Sequence, residues 1–269
     1  MLTRAQVDHF GVFGFLHLSQ VFKAEEIDIL SQAGKSVCSD LLGHVPTSGD
    51  VIWHQPFVEL HPTLIDLIAD ERIYLPMRDL LGENFIWVGS EGMYGFSDRL
   101  RNHHWHSDGE KDTRMLAYRH IKCMIYLDPL RRESGALRVI PGSHRLPLNE
   151  RLQPFQDDHT RERPTFFGLE GEQIPAYAIE TDPGDVVLFN QWLFHAVYGK
   201  TGHRRTIVLK FARWPADAEH LAMLCAKKDR IAEPHEALRR SENPRLRQLA
   251  ERGLELGALA SRKKAEILP

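Results

Sequence analysis

The segment His103-His104-Trp105-His106-Ser107-Asp108-Gly109 concentrates more reactive side chains than any other part of the chain. On a strand, positions i and i+2 share a face, so His106 and Asp108 can offer an imidazole nitrogen and a carboxylate oxygen to one ion. A distant histidine completes a two-His, one-carboxylate face. Such a face leaves adjacent coordination positions open, which oxygen chemistry on non-haem iron(II) requires. His195 is the candidate third ligand. It follows Val186-Val187-Leu188-Phe189, an apolar run entered through the Pro183-Gly184 turn. An isolated H-x-D pattern is frequent by chance, so context has to carry the assignment. His103 and His104, taken alone, read as surface residues.

The next strand supplies context. In Arg204-Arg205-Thr206-Ile207-Val208-Leu209-Lys210-Phe211, one face carries Arg204, Thr206 and Val208 and the other Arg205 and Ile207. An arginine aimed into an apolar interior needs an anionic partner, and a dicarboxylate would supply one in a charge-assisted pair. The bland alternative is a solvated strand end with both arginines in water. Around the H-x-D segment lie Arg99, Arg101, His103, His104, Lys111 and Arg114, mixed with Tyr94, Phe96 and Trp105. They suit an anionic substrate, or a solvated loop balanced by Asp98, Glu110 and Asp112. Trp192 and Phe194 either line a substrate pocket or pack a wall.

Several elements must hold these residues in place. Thr3 and Gln6 form a T-x-x-Q capping box, which predicts a short helix there. Gly11 and Gly14 are expected to bracket a turn into an apolar strand at 15–18. A second helix should bury Val21, Ile27 and Leu30, and a third should run from Leu64 towards Leu80 and Leu81. Short β-prone runs then recur at 85–88, 121–127, 136–140, 186–189 and 206–211, punctuated by Ser134-Gly135, Pro141-Gly142 and Pro183-Gly184. That rhythm predicts a barrel or double-sheet sandwich. Residues 145–178 are polar and proline-containing, an excursion placed to cover a site. After Trp214 the composition turns to Ala, Leu, Glu, Lys and Arg with a break at Pro244. This predicts two or three helices packed on the body.

Composition bounds the function classes. The 269 residues are 42% hydrophobic and 26% charged, the balance of an ordinary globular chain. A formal net charge of -3 and the lack of any long basic run give no electrostatic support for nucleic-acid binding. No apolar stretch is long enough to span a membrane, and the N-terminal residues lack signal-peptide character. Cys38, Cys123 and Cys225 have no zinc or redox spacing, so a cytoplasmic location is expected.

Taken together, the segments resemble the phytanoyl-CoA dioxygenase family over roughly residues 1–214. The matching pieces are the N-terminal helix and strand, Trp105-His106-Ser107-Asp108, and Tyr126-Leu127-Asp128-Pro129. They continue with Gly135-Ala136-Leu137-Arg138-Val139-Ile140-Pro141-Gly142-Ser143-His144, then Gly184-Asp185 through His195, then the Arg204 strand. The resemblance implies a mainly β fold, a double-stranded β-helix or jelly-roll barrel with flanking helices and a helical C-terminal tail. It divides the chain into a catalytic domain at 1–214 and an extension at 215–269. It implies iron(II) on His106, Asp108 and His195, with 2-oxoglutarate and O2 as cosubstrates. Counting back from Phe211, the arginine that binds the far carboxylate of 2-oxoglutarate falls on Arg204. Thr206 and Met124 take positions at the cosubstrate pocket, and His144 reads as a turn residue. The implied reaction is hydroxylation of a small organic substrate with release of succinate and CO2. Asp108 disfavours halogenation, which uses a small residue at that position. A divalent-metal hydrolase on the same triad and a non-catalytic metal-binding barrel are the competing readings, and a monomer or a homodimer would suit either.

Overall fold

The protein is described from a computed structural model, which describes residues 1–96, 101–109, 112–158, 165–225 and 233–267. The chain starts as the capping box predicts. The Thr3 side chain accepts from Gln6 N–H at 3.2 Å and the Gln6 side-chain Oε1 accepts from Thr3 N–H at 2.8 Å, opening helix α1 (Arg4–Phe13). Gly14, at φ +84°, ends it and releases strand β1 (Phe15–Leu18). Gly11 makes no turn; it lies inside α1. Helix α2 (Ala24–Leu42) buries Ile27, Leu30, Ala33 and Val37 at helical spacing, whereas Val21 precedes it. After strand β2 (Val51–His54), the expected single helix from Leu64 to Leu81 divides. Helix α3 (Pro62–Ile65) runs into a 3-10 turn, and Asp70 accepts from Arg72 N–H at 2.9 Å to start α4 (Glu71–Leu81).

The barrel follows. Its strands are β3 (Ile86–Gly95), β4 (His103–His106), β5 (His120–Tyr126) and β6 (Leu137–Val139). Beyond helices α5 (Leu148–Arg151) and α6 (Gln153–Asp158) comes a small hairpin of β7 (Thr165–Phe166) and β8 (Leu169–Glu170). The last strands are β9 (Tyr177–Ile179), β10 (Val186–Asn190), β11 (His195–Val197) and β12 (Arg204–Ala212). One sheet has the order β1-β10-β5-β12-β3-β2 and the facing sheet β4-β11-β6-β9, with antiparallel neighbours throughout. This is the expected jelly-roll layout. β3 is longer than the apolar run at 85–88 predicts, because it continues through Ser90-Glu91-Gly92-Met93, whose polar and small residues hide a strand.

Alternation sorts the large sheet into two faces. Ile121, Cys123, Ile125, Leu188, Ile207 and Leu209 point outward into a core shared with α2, α3 and α4. Met124, Tyr126, Val187, Phe189 and Val208 point inward and meet Leu137, Val139 and Val197 of the small sheet. The described residues of the 145–178 excursion do not cover the interior as the sequence suggested. Leu152, Phe155, Phe166 and Ile174 instead back the outer face of the small sheet, against Trp105, Phe194 and Tyr198. The reason is the other half of the alternation: strands whose inner face carries ligands still have an apolar outer face to bury.

The C-terminal helices are α7 (Ala218–Cys225), α8 (Glu236–Arg239) and α9 (Pro244–Ile267). Pro244 is the first residue of α9, a position where its missing N–H costs nothing. Leu238, Leu246, Leu249 and Ala250 join the core under the large sheet. Arg245 and Arg252 donate to the carbonyls of Ala69 and Phe85 at 2.9 and 3.0 Å. Among the described residues no helix is long and apolar enough to cross a membrane.

Candidate metal centre

β4 and β11 are hydrogen-bonded neighbours, and His106 sits opposite His195 in their register. The two rings therefore meet on the inner face with centroids 4.4 Å apart. Asp108 lies two residues past the end of β4, so loop anchoring rather than strand alternation presents its carboxylate. Asp108 N–H donates to the Gln191 carbonyl at 2.9 Å. The Gln156 amide brackets Ser107 between the two residues, accepting from Ser107 N–H at 2.8 Å and donating to its carbonyl at 2.9 Å. Gly109 then passes so close to the Trp192 ring that a Cβ there would overlap it.

The ring orientations are settled by backbone carbonyls, which can only accept. His106 Nδ1 lies 2.6 Å from the His104 carbonyl and His195 Nδ1 lies 2.9 Å from the Leu193 carbonyl. Each Nδ1 therefore carries the proton, leaving Nε2 with a lone pair for a metal. Ligand atoms of His106, Asp108 and His195 all fall within 4.8 Å of one another. His195 Nε2 is 3.6 Å from Asp108 Oδ2, and His106 Nε2 is 3.9 Å from Oδ1. Burial, with the nearby His106, pushes the His195 imidazole down to about 4, so its neutral, ligating form prevails. Burial opposes ionisation of Asp108, but Lys122 and the two imidazoles outweigh it and hold the carboxyl below the usual range. The donor set is two neutral nitrogens and one carboxylate oxygen, which fits iron(II) with open positions.

The triad opens onto a cavity of about 340 Å³ that also reaches Met93, Met124, Leu137, Phe189, Val208 and Arg204. Arg204 is 4% exposed and, among the described residues, its side chain makes a single bond, Nε to the Gly135 carbonyl at 3.3 Å. Its Nη2 has no hydrogen-bond partner among the described residues, and neither does the buried Thr206 hydroxyl. Arg205 faces the other way and pairs with Asp128, Nη2 to Oδ1 at 2.6 Å and Nε to Oδ2 at 3.0 Å. The structure thus brings Arg204 and Met124 into the same cavity as the triad. Thr206 shares their face without lining the cavity.

The basic cluster expected around the H-x-D segment disperses. His103 and His104 line the cavity, while Arg114 pairs with Asp112 and Glu219 at the surface. Asp98, Arg99, Glu110 and Lys111 lie outside the described residues. Tyr94, Trp105, Trp192 and Phe194 are fully packed into cores, and His144 is buried beside Gly14, its Nε2 3.3 Å from the Gly11 carbonyl. Sequence reasoning passed over Glu91 and Lys122. Lys122 Nζ lies 3.1 Å from Asp108 Oδ2 and 3.9 Å from Glu91, which also binds Lys210 and Gln55. The signal was present in alternation: Glu91 shares a face with Met93, and Lys122 with Met124.

Several known proteins are similar to this one along much of the chain. An ectoine dioxygenase of Sphingopyxis alaskensis is 27% identical over 221 residues, covering 74% of this chain and 71% of its own. A 2-aminoethylphosphonate dioxygenase of an uncultured bacterium is 24% identical over 197 residues, covering 68% and 66%. The crystal structure of HygX from Streptomyces hygroscopicus with nickel and 2-oxoglutarate bound superposes with a TM-score of 0.63 at 21% identity, over 79% of this chain and 88% of that one. The structure of EctD from S. alaskensis with 2-oxoglutarate and 5-hydroxyectoine gives a TM-score of 0.59 at 22% identity, over 79% and 76%. The family model for phytanoyl-CoA dioxygenase matches residues 10–207, which carry the three candidate ligands and Arg204, and the chain belongs to that family.

Proposed function

We propose that this protein is an iron(II)- and 2-oxoglutarate-dependent dioxygenase that hydroxylates a small organic molecule. In this reading His106, Asp108 and His195 hold the iron, and Arg204 binds the far carboxylate of 2-oxoglutarate. The observation that carries it is the buried Arg204 guanidinium, which lines the cavity that contains the triad and has no acidic partner among the described residues. A hydrolase or a non-catalytic barrel would leave that cation uncompensated, at a steep cost in a dry interior.

Iron(II), when bound, activates O2, and the coupled decarboxylation of 2-oxoglutarate to succinate and CO2 supplies the oxidising power for hydroxylation. The chain's own contribution is positional. The Leu193 and His104 carbonyls fix both imidazoles through Nδ1. Lys122 holds the Asp108 carboxylate ionised, and the Gln156 clamp on Ser107 sets its reach. Arg204 anchors one end of the keto acid so that its other end points at the triad, while Met124, Val197, Phe189 and Val208 keep water away from the stretch between. Substrate meets Trp53, Asn102, His103 and His104 on its way in; an acid would find Lys122, His103 and His104 there. Residues 215–269 are an extension of the same body, a reading supported by the shared core of α8 and α9. Buried thiols at Cys38 and Cys123 suit a reducing cytoplasm.

The test is an anaerobic titration of the iron(II)-loaded protein with 2-oxoglutarate, following the weak visible charge-transfer band. Its appearance is expected. Its absence with iron demonstrably bound would remove the proposal.

A further inference from the structure

Glu91, Asp108, Lys122 and Arg204 are the carboxylates and the Lys and Arg cations that line the cavity. Loading the site as proposed above finds a partner for every charge but one. The two positive charges of iron(II) are matched by Asp108 and by the near carboxylate of 2-oxoglutarate, and Arg204 takes the far carboxylate. Glu91 is 4% exposed and is paired with Lys210, while the Gln55 amide donates to its Oε1 at 2.9 Å. Lys122 remains. Its Nζ lies 3.1 Å from Asp108 Oδ2 and 3.9 Å from Glu91 Oε2, and it makes no other ion pair or hydrogen bond among the described residues. In the loaded site Asp108 spends its charge on the metal and Glu91 on Lys210.

Strand register puts this cation where it is. Lys122 and Lys210 are direct neighbours across β5 and β12, an arrangement that like charges disfavour. The one acid of β3 beside them, Glu91, answers a single lysine. The Lys122 side chain is 17% exposed, and that exposure is to the cavity. A guest that displaces water from the cavity without bringing a charge would leave the ammonium unmatched, at a steep cost. An anionic group on the guest removes that cost.

The mouth of the cavity offers a different surface. β2 is an edge of the large sheet and β4 an edge of the small one. Trp53 of β2 lines the same cavity as His103 and His104 of β4, so the cavity opens between these edges. Trp53 pairs with Met93 across β2 and β3, which sets its indole on the inner face. It is 69% exposed and has no hydrogen bond, ring contact or cation contact among the described residues. A large ring left in water at a cavity mouth gains free energy when an apolar group covers it.

We propose that the substrate is a small organic acid with an apolar body, its anionic group paired with Lys122 and its body packed on Trp53. This rests on the dioxygenase reading and deepens it by naming the substrate class and the two residues that select it.

The experiment is anaerobic calorimetry on full-length protein loaded with iron(II) and 2-oxoglutarate, titrated with 3-phenylpropionate and with 3-phenylpropionamide, which has the same shape without the charge. The charge-transfer band is followed in parallel. Native protein should bind the acid about tenfold more tightly than the amide, the difference between a charge-assisted and a neutral hydrogen bond. In Lys122→Met the two Kd values should become equal, and in Lys122→Arg the preference for the acid should return. Comparing both probes within each protein cancels any common effect of a substitution on iron or fold. Trp53→Ala should weaken both probes by the same factor, about tenfold. Equal native affinity for acid and amide would overturn the proposal, as would a native-like preference in Lys122→Met. So would unchanged Kd values in Trp53→Ala, or loss of the band as the acid is added, which marks displacement of 2-oxoglutarate. If the band forms but native protein binds neither probe, this proposal falls alone. If the band never forms with iron bound, the dioxygenase reading falls and takes this proposal with it.

Discussion

Replacing Arg204 by methionine tests the functional reading at its centre. The substitution keeps an unbranched side chain in the inner face of β12 and removes the charge. An arginine can hold a carboxylate through two parallel hydrogen bonds, each charge-assisted one worth about 1.5–3 kcal/mol. The site is 4% exposed, so solvent screening takes little from that figure. A loss of about 3–4 kcal/mol is expected, which at about 1.4 kcal/mol per tenfold is a roughly 100- to 1,000-fold rise in the 2-oxoglutarate Kd. Folding should not suffer equally, because among the described residues the one side-chain bond of Arg204 is to the Gly135 carbonyl at 3.3 Å. Arg205→Met is the matched control. It breaks the pair with Asp128, a carboxylate only 8% exposed, and leaves that charge without its cation, so stability should fall by about 2–4 kcal/mol and Tm with it. It should leave 2-oxoglutarate binding alone. Anaerobic titration gives the Kd and thermal unfolding the Tm. If Arg205→Met carries the binding loss and Arg204→Met titrates like the native protein, the strand faces have been misread and the reasoning fails.

The remaining predictions are shorter. Asp108→Ala or His106→Ala should reduce bound iron(II) from about one per chain to near zero by metal analysis, as expected when one of three protein ligands is lost; full retention would remove the triad assignment. Gly109→Ala places a methyl inside the Trp192 ring, so Tm and iron affinity should fall together, with a stability loss of about 2–4 kcal/mol. Asp185 is buried, which opposes ionisation, but the N–H groups of Asp182 and Gln20 and the ring of His17 outweigh this and lower its pKa. A depressed folded pKa contributes stability above the unfolded value of about 3.9, and that contribution is lost as pH falls through the folded value. Asp185→Asn should therefore lower Tm near neutral pH, with the gap to native closing below about pH 4; a gap independent of pH would contradict it.

The candidate metal ligands could be proposed from local sequence because their chemistry is local: an H-x-D run, a later histidine, and an intervening pattern of short strands. Alternation put Arg204 and Arg205 on opposite faces without saying which is inner; the family resemblance, counted back from Phe211, favoured Arg204, and the register of β12 puts Arg204 in the cavity. Helix starts at Thr3 and stops at Gly14 were readable for a similar reason, since caps act over three or four residues. Errors arose where burial is set from a distance. Gly11 continues a helix because nothing nearby stops it. β3 runs on through Glu91 because Lys122 and Lys210, on other strands, neutralise that charge. Leu152, Phe155, Phe166 and Ile174 of the 145–178 excursion pack behind Trp105 because the outer face of the small sheet needs cover.

By itself, then, the sequence determined the donor types, the strand periodicity and the family, since these depend on residue identity and spacing along one chain. Only the tertiary structure decided which arginine has no acid beside it among the described residues, and that Lys122 stands beside Asp108. Charge compensation is a property of neighbours in space. Those neighbours come from β5, β11, β12 and the turns between strands, and a linear reading cannot pair them.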